Sequence, residues 1–423
     1  MKEIIKSIIP REKRKNIKAY IKYSKSHTTL ILKNQIFKVL SDRVYDVKCI
    51  SKRNRHVFCG YYDLSPNSLQ DINRILLHLL PLNAEAGVSS IELATYDIAK
   101  NKYNVFYKTK AWCWQQGSRL RWGKKEDVVY FNDTDGKGDY CCRKFNLTEN
   151  KIEKTINYPL YDISKSEEYG VSINFERLQK LRPGYGYTCY KKFDNNFAPK
   201  DDGLFYVDLI SGERKLLISL YELSLMIDGA DSGYNYLNHI SISPDGNYIM
   251  FFHVWTTSKR PGWKATLCIY DLVNNMLIRL EDVDQVSHYT WKDNTTLLIT
   301  GIDAKSQKGF YRVYDILHKK KEEIRSEALQ RDGHPTYSRI FPGFYTDTYP
   351  NESFIQCFYF FDSLKQKKES LVELYSDPRL FEEKRCDLHP HYFNSIEAIT
   401  LDTTFKRKRR EIVVVYMKEK AYE

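Results

Sequence analysis

The feature that most constrains the fold of this chain is a phrase that recurs at nearly regular intervals through its C-terminal half. Each copy begins with a histidine, which is followed by a strand-like segment, a polar turn and a second strand-like segment. The copies begin at His239, His288, His334 and His389, at intervals of 49, 46 and 55 residues. A period of about 40–50 residues built from strands is typical of a β-propeller, in which each repeat forms one blade.

The copy that begins at His239 contains all four strands of a blade. Alternation of apolar and polar residues predicts strands in segments 239–243, 248–255, 264–272 and 276–283. The 33 tyrosines and 21 phenylalanines of the chain also favour strands over helices.

Three further copies lie upstream and lack the histidine. Tyr61, Arg119 and Leu160 occupy its place, which gives seven units in all. The last unit has room for about three strands, since only 34 residues follow His389. We expect residues 45–52 to supply its fourth strand, because an open ring would leave two unpaired edges. The sequence therefore predicts an all-β fold, a seven-bladed β-propeller closed by an N-terminal strand.

The predicted domain organisation is a short, basic, helical N-terminal extension in residues 1–44 and one propeller in residues 45–423. No Gly/Ser-rich or Pro-rich linker separates the units. The basic extension suits weak contact with a membrane surface, and a solvated helix is the favoured alternative. No run approaches the 18 apolar residues that a transmembrane helix needs, so we expect no transmembrane segment.

The net charge of the chain is compatible with several kinds of partner and does not choose between them. Lys and Arg total 66 against 54 Asp and Glu, which gives a net charge of +12. Such an excess suits an acidic glycan, an anionic lipid or nucleic acid, or is a solvated basic surface. Nucleic acid is supported by the charge alone, and we expect no DNA partner. Nine irregularly spaced cysteines and the lack of an apolar signal segment predict a cytoplasmic protein.

The recurring histidines predict a site on the propeller axis. The first strand of each blade lines the central channel, so equivalent positions in neighbouring blades converge. Four imidazoles there would form a metal site or a proton-transfer site. Cys386 lies three residues before His389, and with His334 and His288 it would complete a set that suits tetrahedral zinc, with manganese as the alternative. The other interpretation is that the histidines hydrogen-bond across the channel and fix the register of the blades.

Several motifs together carry a family resemblance, although each is weak alone. They occur in the order GYYDLSP (60–66), WCWQQGSRLRW (112–122), VSINFERLQKLRPGYGY (171–187), GHPTYS (333–338), TDTYP (346–350) and CDLHP (386–390). From about residue 45 to its end, the chain resembles the seven-bladed propellers related to ulvan lyases and, more distantly, to oligogalacturonate lyases. The resemblance implies β-elimination on a uronate-containing saccharide.

This reaction needs a group that neutralises the uronate carboxylate, a base for the C5 proton and an acid for the leaving oxygen. The resemblance assigns the carboxylate to Arg177, whose planar guanidinium fits it, and proton transfer to Tyr161. His239 is a substitute base. The bound metal of these families is structural zinc in one group, and in the other a metal held by histidines and a glutamine.

The chain departs from the lyases in its second blade, where ulvan lyases carry catalytic histidines. Gln115, Gln116, Arg119 and Asn132 stand there instead. Amide side chains bind sugar hydroxyls but do not act as bases at neutral pH. Tyr185 and Tyr187, in the segment RPGYGY, are expected to stack on sugar rings as a lid over the channel. The alternative is a turn packed on the edge of a blade.

Two functions remain open from the sequence. The first is a polysaccharide lyase-like enzyme that acts on an acidic saccharide. The second is a non-catalytic propeller that binds a glycan or a protein in cytoplasmic biosynthesis of surface (capsular) polysaccharide.

Overall fold

The computed structural model describes residues 37–256, 263–280, 285–303, 305–393, 396–406 and 408–418. Within these residues the strands form seven antiparallel sheets, each with at least four strands. The predicted all-β, seven-bladed propeller is therefore confirmed. The predicted helical extension falls mainly in residues 1–36, which lie outside the described residues.

The first three blades follow one another directly in the chain. Blade 1 consists of Arg55–Phe58, Arg74–Pro81, Ile91–Asp97 and Lys102–Thr109. Blade 2 consists of Arg121–Trp122, Val128–Thr134, Tyr140–Asn146 and Lys151–Ile156. Blade 3 consists of Asp162–Ile163, Tyr169–Ser172, Gly203–Asp208 and Arg214–Ser219. In each sheet the first strand occupies one edge and the fourth the other.

The next two blades have longer inner strands. Blade 4 consists of Asn235–Ile242, Tyr248–Thr256, Trp263–Asp271 and Met276–Arg279. Blade 5 consists of Gln285–Trp291, Thr296–Ile302, Gly309–Asp315 and Lys320–Glu323. The Pro-Asp-Gly turn of blade 4 is closed by a 2.6 Å hydrogen bond from the Ser243 hydroxyl to the Asp245 carboxylate. Gly246 takes the left-handed backbone conformation that this turn requires.

The last two blades also recruit N-terminal strands. Blade 6 consists of Thr336–Tyr337, Gly343–Asp347, Ile355–Asp362, Lys367–Tyr375 and an added outer strand, Phe37–Val39. Blade 7 consists of His391–Tyr392, Ala398–Thr403, Glu411–Met417 and Val44–Ile50. Val44–Ile50 pairs antiparallel with Glu411–Met417, so a strand from the start of the chain completes the last sheet.

Within the described ranges, short helical segments interrupt the strands at four places. Helix α1 (Phe175–Leu181) follows the second strand of blade 3, and helix α2 (Leu220–Leu225) follows its fourth strand. Single 3-10 turns cover Glu327–Leu329 and Glu382–Lys384. The N-cap of α1 is Asn174, whose side chain accepts a 3.0 Å hydrogen bond from the Arg177 N–H. None of the helices in the described residues has the length and apolar character needed to cross a membrane.

Candidate functional site

The structure brings the four recurring histidines together. The ring centroids lie 5.8 Å apart for His239 and His288, 4.0 Å for His288 and His334, and 4.7 Å for His334 and His389. All four side chains are buried. Neighbouring blades thus place residues that are about 50 positions apart in van der Waals contact.

Two tyrosines of blade 1 complete this histidine cluster. Tyr61 occupies the position that histidine holds in blades 4 to 7, and its ring stacks on His239 at 5.2 Å, with 3.5 Å between Oη and Nε2. The ring of Tyr62 packs against His334 at 5.2 Å and His288 at 5.8 Å. Burial raises the pKa of both tyrosines, so both hydroxyls are neutral and able to donate a proton.

Two of the histidines are oriented by carboxylates. The ring Nδ1 of His334 lies 2.9 Å and 3.0 Å from the two Asp347 oxygens, and its backbone N–H donates to the same carboxylate. His288 Nδ1 lies 3.2 Å from Asp332. Because Asp347 holds the Nδ1 hydrogen, the Nε2 lone pair of His334 points into the channel, and it has no partner.

The protonation states in the histidine cluster follow from these contacts. Burial and neighbouring cations lower the pKa values of His239 and His389 far below the usual value. Burial and the charge of His334 also lower the pKa of His288. Burial alone would lower the pKa of His334, but the charge of Asp347 and its hydrogen bond raise it. His334 therefore has the highest proton affinity of the four imidazoles, and burial keeps His239 a neutral imidazole.

Three residues around the channel have left-handed backbones. The φ angles are +55° at Arg119, +54° at His239 and +44° at His389. This conformation costs an L-residue about 1–2 kcal/mol. These three positions are equivalent in the repeats of blades 2, 4 and 7. Arg119 and His389 lie just before the first strand of their blades, and His239 lies within its strand, at the irregularity between Asn238 and Ser241.

One group of donors in the cluster fits a divalent cation. Ligand atoms of His334, Asp387 and His389 all lie within 4.8 Å of one another. The two ring nitrogens of His389 and the Nε2 of His334 have no hydrogen-bond partner. Asp387 is bound by Arg385 at 2.9 Å. Two imidazoles and a carboxylate are suitable ligands for zinc or manganese.

The predicted ligand Cys386 lies outside this group. Its thiol is buried, and its sulfur is 3.8 Å from the backbone carbonyl of Asp387. Asp387, the next residue, has a carboxylate oxygen within 4.8 Å of donor atoms of both histidines, and the role of Cys386 as a ligand stays a prediction. The sequence motif CDLHP contains both residues, but only the backbone path decides which side chain faces the histidines.

Tyr161 lies beside His239, as expected, but its hydroxyl is fully engaged. It accepts hydrogen bonds from Gln116 Nε2 at 2.9 Å and from the backbone N–H of His239 at 3.1 Å. It donates to Asn238 at 3.2 Å. The Arg119 guanidinium lies over the Tyr161 ring at 4.4 Å and is paired at 2.8 Å with a carboxylate of blade 1, Asp63. Tyr161 thus fixes the backbone of His239.

Arg177, predicted to bind the uronate carboxylate, is engaged with backbone. Its donors contact the carbonyl oxygens of Asn235 at 2.6 Å, Asn196 at 2.8 Å and Phe197 at 2.9 Å. Its remaining nitrogen lies 3.4 Å from Asp194, and the side chain is 3% exposed. These contacts anchor a loop, and the carboxylate-binding role stays a prediction.

Two other arginines stand at the channel mouth around Tyr185. Arg385 donates to the Tyr185 hydroxyl at 2.8 Å, and the Arg182 guanidinium lies 5.2 Å from the ring. The Tyr185 ring lies 5.9 Å from His239 and 6.0 Å from Tyr61, so it covers the cluster. The cavity left beside His239 has a volume of only about 10 Å³. Arg182 is the first residue of the segment RPGYGY and Arg385 directly precedes CDLHP, but the sequence assigned neither arginine a role.

The remaining predicted saccharide contacts are buried between blades. Gln115 donates to the carbonyls of Glu383 and Arg385, both at 3.0 Å. Asn132 bonds the backbone of blade 3 at Leu160 and donates to the Tyr187 hydroxyl at 2.9 Å. The Tyr187 ring stacks on Phe175 at 4.4 Å. These side chains join blades in the present conformation, and their contact with a saccharide stays a prediction.

Comparison with known proteins rests on structure. No protein-family model and no curated protein sequence matches the chain. A solved oligogalacturonate lyase in complex with manganese superimposes with a TM-score of 0.61 and 11% identity, over 90% of this chain and 98% of that one. The oligogalacturonate lyase of Vibrio parahaemolyticus gives 0.63 and 12%, over 90% and 97%. The chain shares the fold of these lyases. At this identity, the likeness shows the fold and not the reaction.

Proposed function

We propose that this protein binds a uronate-containing oligosaccharide or polysaccharide at the channel mouth and cleaves it by β-elimination. The observation that carries the proposal is the pairing of His239 Nε2 with the Tyr61 hydroxyl, 3.5 Å apart beneath two arginines. The pair supplies a neutral base and a neutral acid at one point of the channel. The lyase-like fold supports the same class of reaction.

Neutralising the carboxylate is the task of Arg385 and Arg182. The side chain of Arg385 is 32% exposed, and Arg182 is also partly exposed, so both reach a ligand that enters from outside. A guanidinium bound to the uronate carboxylate disperses the negative charge that develops when the C5 proton leaves. Arg177 is buried and its donors bind backbone oxygens, so the geometry supports the two mouth arginines over it.

Proton transfer is the task of His239 and Tyr61. Burial lowers the pKa of His239, so the unprotonated imidazole is present at neutral pH and accepts the C5 proton. Burial raises the pKa of Tyr61, so its hydroxyl keeps the proton that the leaving oxygen needs. Tyr161 holds His239 in place through the backbone N–H.

A divalent cation fits below this pair, at His334, Asp387 and His389. Bound there, it would supply a fixed positive charge near the developing negative charge. Zinc is the first candidate and manganese the second, since one similar structure is described as a manganese complex. Asp347 orients His334 toward the cation, a type of contact that typically changes metal affinity 10–100-fold.

The test is the ultraviolet absorbance of the unsaturated uronate that β-elimination forms, measured with a panel of uronate polymers. We expect His239→Ala and Tyr61→Phe to lower the rate at least about a hundredfold, the usual contribution of a general acid or base. His318→Ala, an exposed histidine of blade 5, is the control and should retain the wild-type rate. If the wild-type protein binds a polymer but gives no absorbance change with any, the lyase proposal is rejected.

A second candidate function is a non-catalytic saccharide-binding propeller in cytoplasmic surface-polysaccharide biosynthesis. The contacts of Tyr161 favour it, because a hydroxyl that makes three hydrogen bonds within the protein is held for structure and is not free to transfer a proton to a substrate. In the binding test, this function predicts saturable binding at the mouth that Arg385→Ala abolishes, without product formation.

A further inference from the structure

A second set of metal-type donors lies outside the His334 group. Cys59 Sγ, a ring nitrogen of His391 and a carboxylate oxygen of Asp402 are within 4.8 Å of one another. Cys59 directly follows the inner strand of blade 1, Arg55–Phe58. His391 and Asp402 belong to the first two strands of blade 7. The set therefore spans the junction between the first and the last blade.

Two of these donors are buried and lack a partner. The Nδ1 of His391 donates to the Leu64 carbonyl at 2.9 Å, so its Nε2 carries the lone pair, and this atom is unpaired. Asp402 Oδ1 accepts from the backbone N–H of Cys59 at 3.0 Å, but its Oδ2 is unpaired. The exposed fractions are 1% for His391 and 0% for Asp402. A buried polar atom without a partner costs about 1–3 kcal/mol, which a bound ion would offset.

We propose that Cys59, His391 and Asp402 bind a zinc ion that fastens the first blade to the last. A thiolate, a neutral imidazole and a carboxylate are standard zinc ligands. Their two negative charges balance Zn²⁺, so the filled site is neutral, as burial demands. The proton of the Cys59 thiol, and that of the Asp402 carboxyl where it is protonated, leave to solvent when the ion binds, so the affinity falls as the pH is lowered.

The ion would act on the closure of the ring. Val44–Ile50 already joins the chain start to blade 7 through backbone pairing. The metal adds a side-chain link between residue 59 and residues 391 and 402, which are more than 300 positions away along the chain. A link that closes so long a loop restricts the unfolded chain strongly. The proposal does not rest on the proposed reaction.

The test uses the full chain stripped of metal and titrated with cobalt, which reports a sulfur ligand through thiolate-to-metal charge-transfer absorption. We expect the wild-type protein to show this absorption and to unfold at a higher temperature with zinc or cobalt. Cys59→Ser should abolish the absorption and most of the thermal shift, and Asp402→Asn should weaken cobalt binding at least about tenfold. Cys268→Ser, which removes a buried thiol in the Trp263–Asp271 strand of blade 4, is the control and should keep the absorption.

His334→Ala separates this site from the histidine cluster, because it removes a ligand of the other group only. We expect it to lower the total metal stoichiometry and to leave the charge-transfer absorption intact. Loss of that absorption in His334→Ala, its survival in Cys59→Ser, or its absence in the wild type would overturn the proposal. If Cys59→Ser does not fold, the proposal is tested by the rate at which an alkylating reagent modifies the cysteines of the wild-type protein. Zinc should slow modification of Cys59 in mild denaturant and leave Cys113 unaffected, and equal rates at Cys59 would refute the site.

Discussion

Adjacent histidines at the same strand position acquire opposite properties from their Nδ1 contacts. His334 faces both oxygens of Asp347, which also accepts from its backbone N–H, and its pKa is raised. His288 has a longer contact to Asp332, which Thr300 shares, and its pKa is lowered. Two cations with ring centroids 4.0 Å apart would repel each other strongly, so the two imidazoles are not protonated together, and His334 has the higher proton affinity.

The backbone of His239 gives a first prediction. Because its φ is +54°, alanine at this position keeps the left-handed strain and glycine relieves it. We expect His239→Gly to be more stable than His239→Ala by about 1 kcal/mol, measured as the free energy of unfolding in urea. At His288, which is not among the described residues with positive φ, the order should reverse. The same order at both positions would show that the backbone conformation is not the cause.

At the scale of elements, segment 182–187 has two faces. Tyr185 covers the histidine cluster, whereas Tyr187 packs into the core on α1. Gly186 lies between them against this helix, where a Cβ atom would stand 2.0 Å from the Phe175 carbonyl oxygen. The segment is therefore seated closely enough to hold Tyr185 over the channel. A ligand as large as a sugar ring would reach His239 past this segment only after Tyr185 moves, because the space beside His239 is too small.

Tyr185→Ala tests this covering role. Removing the Tyr185 ring opens the channel mouth and leaves the His239 side chain in the protein, so the association rate of a uronate oligosaccharide should rise. For a cover that is open one tenth of the time, the increase is about tenfold. Stopped-flow binding measures it, and Tyr187→Phe, which keeps the core ring, should leave the rate unchanged. A slower association in Tyr185→Ala would mean that the ring recruits the sugar and does not exclude it.

The N-terminal strand that completes blade 7, Val44–Ile50, gives a third prediction, and the control variant lies in the same strand. Ile50 is 1% exposed and packs with Ile412 and Val414, whereas Tyr45 is 59% exposed. Ile50→Ala should lower the free energy of unfolding by about 2–5 kcal/mol, the usual cost of a core truncation. Tyr45→Ala should change it by less than about 1 kcal/mol. Equal, small effects on urea unfolding would show that Val44–Ile50 does not secure the ring.

At the scale of the whole molecule, the propeller buries many uncharged histidines. Burial lowers the pKa of His78 from 6.5 to about 4. Burial, with the charge of Arg410, lowers that of His56 to the same value. Their pKa values are depressed in the folded state, so the unfolded chain binds protons first as the pH falls. The contribution of these two histidines to the free energy of unfolding is therefore fully present above pH 6.5 and is lost as the pH falls toward 4.

Urea unfolding near pH 7 and near pH 5 measures this loss. Each of the two histidines should reduce the free energy of unfolding by about 1–2 kcal/mol between these values. His78→Gln, which cannot be protonated, should show a shallower pH dependence, even if it is less stable at neutral pH. A variant with the wild-type slope would contradict the assignment to His78.

The sequence by itself determined the ring. The spacing of His239, His288, His334 and His389 predicted the blades, and the short last repeat predicted a strand from residues 45–52, where Val44–Ile50 now pairs. These features are visible because strand periodicity and repeat length are properties of neighbouring residues. The convergence of the histidines followed from symmetry, since equivalent positions of a ring face one axis.

Only the tertiary structure decided which side chains serve the channel. Arg177 contacts backbone carbonyls, Gln115 and Asn132 join blades, and Asp387 has a donor atom within 4.8 Å of those of His334 and His389. The repeat placed Tyr61 at the position of the histidines, but no pattern assigned a role to Arg182 and Arg385, which contact Tyr185. The physical reason is that hydrogen-bond partners in this fold come from other blades, tens to hundreds of residues away. The local sequence determines where each strand lies along the chain, but the paths of the loops and single φ angles determine the direction of each side chain.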